Sequence, residues 1–75
     1  MSSALRPLPY RKVDRVLRRL GFESIGQTGS HVRYRHPDGR AVTVPRHDRK
    51  DVAPGLLRKV IRDVGVSVQE FMDLT

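Results

Sequence analysis

Apolar residues recur at helical spacing in two parts of the chain. In the first part this spacing predicts a helix over residues 9–20. Pro9 suits its start, because N–H groups in the first helical turn have no partner within the helix and proline has no N–H to leave unpaired. Gly21 is typical of the position just after a helix. The second predicted helix covers residues 54–64 and ends before Gly65. The apolar positions are Val13, Val16, Leu17 and Leu20 in the first helix and Leu56, Leu57, Val60, Ile61 and Val64 in the second.

Between the helices, three short segments have the pattern of β-strands. The predicted strands cover residues 22–27, 31–36 and 41–44. Thr28-Gly29-Ser30 and Pro37-Asp38-Gly39 supply the turns between them, and Pro45 ends the third strand. Because these connections are short, we expect the strands to pair antiparallel.

The order of the elements is therefore helix, three strands, helix, which predicts an α+β fold. Ser67 and Glu70 have the spacing of a capping box, and they predict a short tail helix that contains Phe71. Since both long helices must cover an apolar face of one sheet, we expect them on the same side of it. With 75 residues the chain makes one domain, with residues 1–8 as a loose lead-in. The predicted core consists of Val13, Leu17, Val32, Tyr34, Val42, Val44, Leu57, Val60 and Ile61.

Strand alternation then predicts what the uncovered face of the sheet displays. Side chains of neighbouring strand residues point to opposite faces of the sheet. His31, Arg33 and Arg35 therefore share one face, and Val32 and Tyr34 lie on the other. The open face is therefore basic and carries a histidine.

The charge of the chain points to a polyanionic partner. Fifteen Lys and Arg against eight Asp and Glu give a net charge of +7, which attracts polyanions. Nucleic acid is the expected partner, and an acidic protein or a membrane surface is the alternative. The chain has no cysteine, which excludes disulfides and thiolate zinc sites and fits a reducing cytoplasm. We find no signal peptide and no membrane span, so a cytoplasmic protein is expected.

Gly29-Ser30-His31 is the segment best suited to chemistry. Ser30 can fix the chain as it enters the strand, and His31 then begins the strand beside Arg33 and Arg35. Histidine both takes and gives a proton near neutral pH, and RNA cleavage needs a base for the 2′-hydroxyl and cations for the phosphate. The alternative is a polar histidine that merely ends a strand.

Two further basic segments can contact phosphate. The loop after the third strand carries Arg46, Arg49 and Lys50, with His47 as a second acid or base, a phosphate contact, or a merely solvated residue. His36 lies at a turn, and we interpret it as a structural residue. The polar face of the first helix could follow an RNA backbone through Arg11, Lys12, Arg15, Arg18 and Arg19.

The chain lacks the residue patterns that metal-dependent and cofactor-dependent reactions require. Three histidines at positions 31, 36 and 47 make no zinc pattern, and the carboxylates are too scattered for a two-metal nuclease. No cofactor is expected, because no Gly-rich phosphate loop is present. Tyr34 points to the core by alternation, which argues against bases stacked on aromatic side chains.

Taken together, the segments resemble the HicA-type toxins, mRNA interferases of toxin–antitoxin pairs. The likeness runs from Tyr10 to Phe71, and it lies in the joint order and spacing of the pieces. The matching pieces are Leu20-Gly21-Phe22, Gly29-Ser30-His31 with Tyr34, His36-Pro37, Val42-Thr43-Val44-Pro45 with His47, Pro54-Gly55-Leu56-Leu57-Arg58-Lys59-Val60-Ile61 and Gly65-Val66-Ser67.

The resemblance implies a double-stranded-RNA-binding-domain-like fold and metal-independent RNA cleavage that depends on His31. It also implies a HicB-type antitoxin that masks the site, with the free toxin a monomer and the complex a hetero-oligomer. A non-catalytic RNA-binding module with the same fold is the alternative, and a binder of acidic protein is a third possibility. The residues expected to bind RNA are Lys12, Ser30, Arg33, Arg35, Arg46, His47, Arg49 and Lys50.

Overall fold

The computed structural model describes residues 5–75, so the first half of the predicted lead-in, residues 1–4, lies outside the described residues. The elements follow the predicted order within one or two residues. They are α1 (Tyr10–Arg19), β1 (Glu23–Thr28), β2 (His31–Arg35), β3 (Ala41–Pro45), α2 (Pro54–Val64) and α3 (Val68–Asp73).

The ends of the helices follow the local sequence signals. Pro9 precedes α1 in an extended conformation, and Pro54 occupies the first turn of α2. Gly21 follows α1 with a positive φ of 94°, where a side chain would be strained and its Cβ would lie 2.8 Å from His36 Nε2. At the start of α3 the Ser67 hydroxyl and the Glu70 carboxylate each accept from the other's backbone N–H, which confirms the predicted capping box.

The three strands form one antiparallel sheet in the order β1-β2-β3. In this register His31 at the start of β2 lies between Thr28 of β1 and Pro45 of β3. At the other end of the strand, Arg35 lies opposite Ala41. The central strand therefore has one end at His31 and the other at the β2–β3 turn.

Both long helices pack on the same face of the sheet, as predicted. β2 and β3 alternate between exposed and buried side chains, and the buried set of each strand joins the buried stripes of α1 and α2 in one core. All nine predicted core residues are buried. The core also includes Leu8, Val16, Phe22, Val52, Val64 and Phe71.

Two details differ from the sequence-based expectation. Leu8, predicted to belong to a loose lead-in, is buried and pairs with Val52 through two backbone hydrogen bonds, so the lead-in is anchored at its end. Leu56 is predicted on the apolar stripe of the second helix, but it is 40% exposed because it lies in the first turn, beside the stripe that begins at Leu57. In the described part of the chain no helix has the length and apolarity to cross a membrane.

Candidate nucleic-acid interface

The open face of the sheet displays the residues that alternation predicted. His31, Arg33 and Arg35 of β2 are all exposed, and so is Thr43 of β3. Their neighbours Val32 and Tyr34 are buried on the helix side. His31 is exposed and shares this face with Arg33, two residues along β2, and with Arg35 at the far end of the strand. A polyanion bound to these arginines therefore has access to the imidazole.

A turn and the following loop hold the His31 end of the sheet. Gly29 adopts a positive φ of 57°, and the Gln27 side chain donates to its carbonyl at 3.0 Å. The Arg46 backbone N–H donates to the carbonyl of Ser30 at 2.5 Å. The turn before His31 is therefore tied to the loop after β3, and the backbone of Ser30 rather than its hydroxyl makes this contact.

A groove of about 520 Å³ lies on the helix side of the same end of the sheet. Its walls are one side of α1, one side of β1 and the loop over residues 46–51. It brings together four of the predicted RNA contacts, Arg46, His47, Arg49 and Lys50, but its lining includes neither His31 nor Lys12. The groove residues are Pro9, Tyr10, Arg11, Asp14, Arg18, Ser24, Gln27, Val32, Arg46, His47, Asp48, Arg49, Lys50 and Asp51.

A chain of hydrogen bonds connects the first helix to the sheet at this groove. The Tyr34 hydroxyl donates to Asp14 Oδ1 at 2.5 Å, so the Tyr10 hydroxyl, 2.5 Å from Tyr34, is the donor to Tyr34. Arg18 Nε donates to both carboxylate oxygens of Asp14 at 3.1 Å. The network thus satisfies the hydroxyl that Tyr34 carries into the core.

The same contacts set the ionisation of the groups involved. Burial raises the pKa of Tyr34 far above its usual value, and its hydrogen bond to Asp14 adds to the effect. The hydrogen bond to Asp14, with the attraction between the two charges, raises the pKa of Arg18. Tyr34 therefore stays a neutral donor and Arg18 a cation throughout the physiological range.

The sequence does not point directly to several groove residues, of which Tyr10 and Asp14 carry the hydrogen-bond chain. Tyr10, Asp14 and Arg18 follow one another at intervals of four, which places them on one side of a helix. That spacing is the signal in the sequence that could have pointed to them. Arg46 adds to this side of the groove, because its guanidinium lies 5.3 Å from the centroid of the Tyr10 ring and its Nε lies 3.5 Å from an Asp48 oxygen.

His36 is held by its surroundings, as a structural residue would be. Its ring packs edge-on against Phe22 with centroids 5.1 Å apart, and it lies against Gly21. Its Nδ1 accepts the Asp38 backbone N–H at 3.1 Å. These contacts lie at the end of the sheet opposite His31.

The two exposed histidines, His31 and His47, lie at the same end of the sheet but on opposite sides of it. Each is therefore accessible to a ligand from its own side, His31 on the open face and His47 in the groove. Among the described residues, no group of three or more His, Asp or Glu side chains could hold a metal ion.

The order of elements and the basic open face define a small α+β domain consistent with the double-stranded-RNA-binding-domain-like fold. The profile of the HicA toxin of bacterial toxin–antitoxin systems matches residues 10–66, and the chain belongs to this family. The matched segment contains His31 and the whole groove lining except Pro9. A comparison with curated proteins gave no significant match. Membership of a toxin–antitoxin family implies an antitoxin partner.

Proposed function

We propose that this HicA-family toxin is a metal-independent endoribonuclease that cleaves mRNA, with His31 as the proton-transfer residue. The observation that carries the proposal is the position of His31: it is exposed at the end of the central strand, on the face that Arg33 and Arg35 make basic. A histidine in the core of a fold needs partners, whereas this one is available to a ligand.

The chemistry follows from what those groups can do. The His31 imidazole takes the proton of a ribose 2′-hydroxyl, and the 2′-oxygen attacks the adjacent phosphorus. The bond from phosphorus to the 5′-oxygen breaks, and that oxygen takes a proton from His47 or from water. The products are a 2′,3′-cyclic phosphate and a 5′-hydroxyl. Arg33, the nearer arginine on this face, stabilises the extra negative charge that develops on the reacting phosphate, and Arg35 holds the RNA backbone further along the strand.

The antitoxin is proposed to act by covering the same face. A HicB-type antitoxin that presents carboxylates to Arg33 and Arg35 would match the charge of the open face and exclude RNA from His31. The free toxin would then be a monomer and the neutralised toxin part of a hetero-oligomer. A complex that blocks cleavage while leaving His31 accessible to solvent would contradict this mode of inhibition.

A non-catalytic RNA-binding module is the second candidate. One observation favours it: His31 and His47, which could divide the roles of base and acid, line no common groove. A binder would use the cations of both surfaces without any need for proton transfer.

The test is purified protein on a defined RNA, with and without excess EDTA. We expect cleavage in both conditions and termini that carry a 2′,3′-cyclic phosphate. Loss of cleavage in EDTA would overturn the metal-independent mechanism. Tight binding without any cleavage by the wild-type protein would favour the binding module.

A further inference from the structure

The groove on the helix side contains an arginine plane that the proposed cleavage reaction does not use. The Arg46 guanidinium lies 5.3 Å from the centroid of the Tyr10 ring, and the Arg46 side chain remains 48% exposed. Tyr10 therefore covers one side of the side chain while the groove leaves another side open.

Neighbouring groups hold this arginine in place. Besides the Tyr10 ring, the Asp48 carboxylate lies 3.5 Å from Arg46 Nε, and the Arg46 backbone N–H is bonded to the Ser30 carbonyl. The Tyr10 ring itself is anchored, because its hydroxyl donates to Tyr34. An exposed arginine ordinarily loses much rotamer freedom when it binds a ligand, and these contacts remove part of that loss beforehand.

Groups that suit the rest of a nucleotide line the groove around this plane. Arg49 and Lys50 are exposed, and neither forms a salt bridge with any described residue. Ser24 and Gln27 add neutral polar groups from β1. The volume, about 520 Å³, falls within the range of about 300–1,000 Å³ that is usual for small-ligand sites.

We propose that this groove binds one unpaired base of the RNA substrate, stacked on the guanidinium plane of Arg46, close to the bond that His31 cleaves. The inference rests on the proposed function for its substrate. Bases of single-stranded RNA stack on arginine planes as well as on aromatic rings, so the absence of an exposed aromatic platform does not exclude such binding. Arg49 and Lys50 would hold the phosphates that flank the stacked base.

The register of the sheet places the backbone of Arg46 near that of His31, with the two side chains on opposite sides of the sheet. Pro45 pairs with His31 across the β2–β3 ladder, and Arg46 is the next residue. The Cα atoms of Arg46 and His31 are therefore within about 10 Å of each other, from the usual spacing of paired and of consecutive residues. An RNA strand that passes around this end of the sheet reaches the open face on one side and the groove on the other.

Charge alone would equally attract an acidic segment of a protein partner, but two features favour RNA. Asp14, Asp48 and Asp51 line the groove together with its cations, which weakens its attraction for carboxylates. Asp48 already lies 3.5 Å from Arg46 Nε, so part of the guanidinium edge that a carboxylate would bind is taken. A base uses the plane itself.

The experiment uses cleavage-deficient His31→Ala protein and a short single-stranded oligoribonucleotide. A series of the same strand, each lacking one base at a different position, isolates the contribution of each base. We expect one position at which removal of the base weakens binding by at least about fivefold, the lower end of the range for a stacked base. Equal affinity across the whole series would overturn the proposal and leave the groove as a surface for phosphate or protein.

Arg46→Lys, in the same background, keeps the charge and removes the plane. We expect the base-dependent difference to disappear in this variant and to persist in the matched control Arg58→Lys, an exposed residue of α2 outside the groove. If both variants retain the difference, the stacked base is not on Arg46 and the inference fails. Because binding is measured without cleavage, this failure is distinct from failure of the His31 mechanism, which the cleavage assay detects.

Discussion

The two sides of the sheet at the His31 end are built differently. On the open face, His31, Arg33 and Arg35 extend from alternate positions of one strand and depend on nothing but the strand for their placement. On the helix side, Tyr10, Asp14 and their partners come from different elements and hold one another by hydrogen bonds. The first surface can be altered without cost to the fold, whereas the second couples binding groups to the core.

This difference predicts which residues separate function from stability. A substitution on the open face should change the rate of RNA cleavage and leave the free energy of unfolding unchanged. A substitution in the hydrogen-bond network beneath the groove should mainly lower the free energy of unfolding. Variants of the two surfaces test that division.

His31→Ala should reduce RNA cleavage by about 10²–10⁴-fold, the usual contribution of a positioned proton-transfer group. Because His31 is exposed, the free energy of unfolding and the affinity for RNA should remain close to those of the wild type. Thr43→Ala, on the same open face, is the matched control and should cleave normally. His31→Ala protein that cleaves like the wild type would remove the proposed mechanism.

His47→Ala tests whether the groove side of the sheet takes part in the reaction, because His47 lines the groove. If it protonates the leaving 5′-oxygen, its loss should lower the rate of cleavage while leaving the affinity for RNA unchanged. If it contacts phosphate, the affinity should fall instead. Single-turnover rates measured at saturating protein separate these outcomes.

Tyr34→Phe should destabilise the protein by about 1–3 kcal/mol, since Asp14 loses a buried donor and Tyr10 loses its acceptor. Tyr10→Phe removes only the end of the hydrogen-bond chain, and we expect a loss of about 0.5–1.5 kcal/mol. Urea denaturation of both variants measures the difference. A Tyr34→Phe protein as stable as the wild type would show that the network does not support the fold.

Replacement of Arg33 and Arg35 by Gln tests the charge of the open face. The affinity for RNA should fall, and the slope of log K against log salt should become shallower by about 0.7 for each phosphate that the protein no longer neutralises. Arg58→Gln with Arg62→Gln changes the net charge equally on α2 and should affect the slope less. Equal slopes for the two double variants would mean that the overall field, and not the open face, binds RNA.

How much of the fold and of the site can be predicted from the sequence depends on how local each feature is. The helices, the strands and the faces of β2 follow from periodicity, so the sequence alone assigns Val32 and His31 to opposite sides of the sheet. The pairing of Leu8 with Val52 joins distant parts of the chain and has no periodic signature. The groove needs α1, β1 and residues 46–51 in three dimensions, so the sequence predicts its cations but not the packing of Arg46 on Tyr10.

The smallest effect is expected at the opposite end of the sheet, where the β2–β3 turn serves as a control for both surfaces. Arg40 Nε donates to both Asp38 oxygens, at 3.1 and 2.9 Å, and the Arg40 guanidinium also reaches the Val64 carbonyl at the end of α2. The side-chain hydrogen bond from Arg40, followed by its backbone N–H, lowers the pKa of Asp38 from 3.8 to about 2.

Because the folded state lowers this pKa, the ionised Asp38 adds stability above about pH 4, and the contribution is lost as the pH falls through about 2. Asp38→Asn should therefore lower the thermal midpoint slightly at neutral pH, and its difference from the wild type should shrink between pH 4 and 2. The effect is small because both side chains are substantially exposed to solvent. Cleavage at neutral pH should not change, and RNA affinity should rise at most slightly, because the substitution removes one negative charge near Arg35. A loss of either would mean that this turn affects the His31 end of the sheet. The open face and the groove would then not be the only determinants of function.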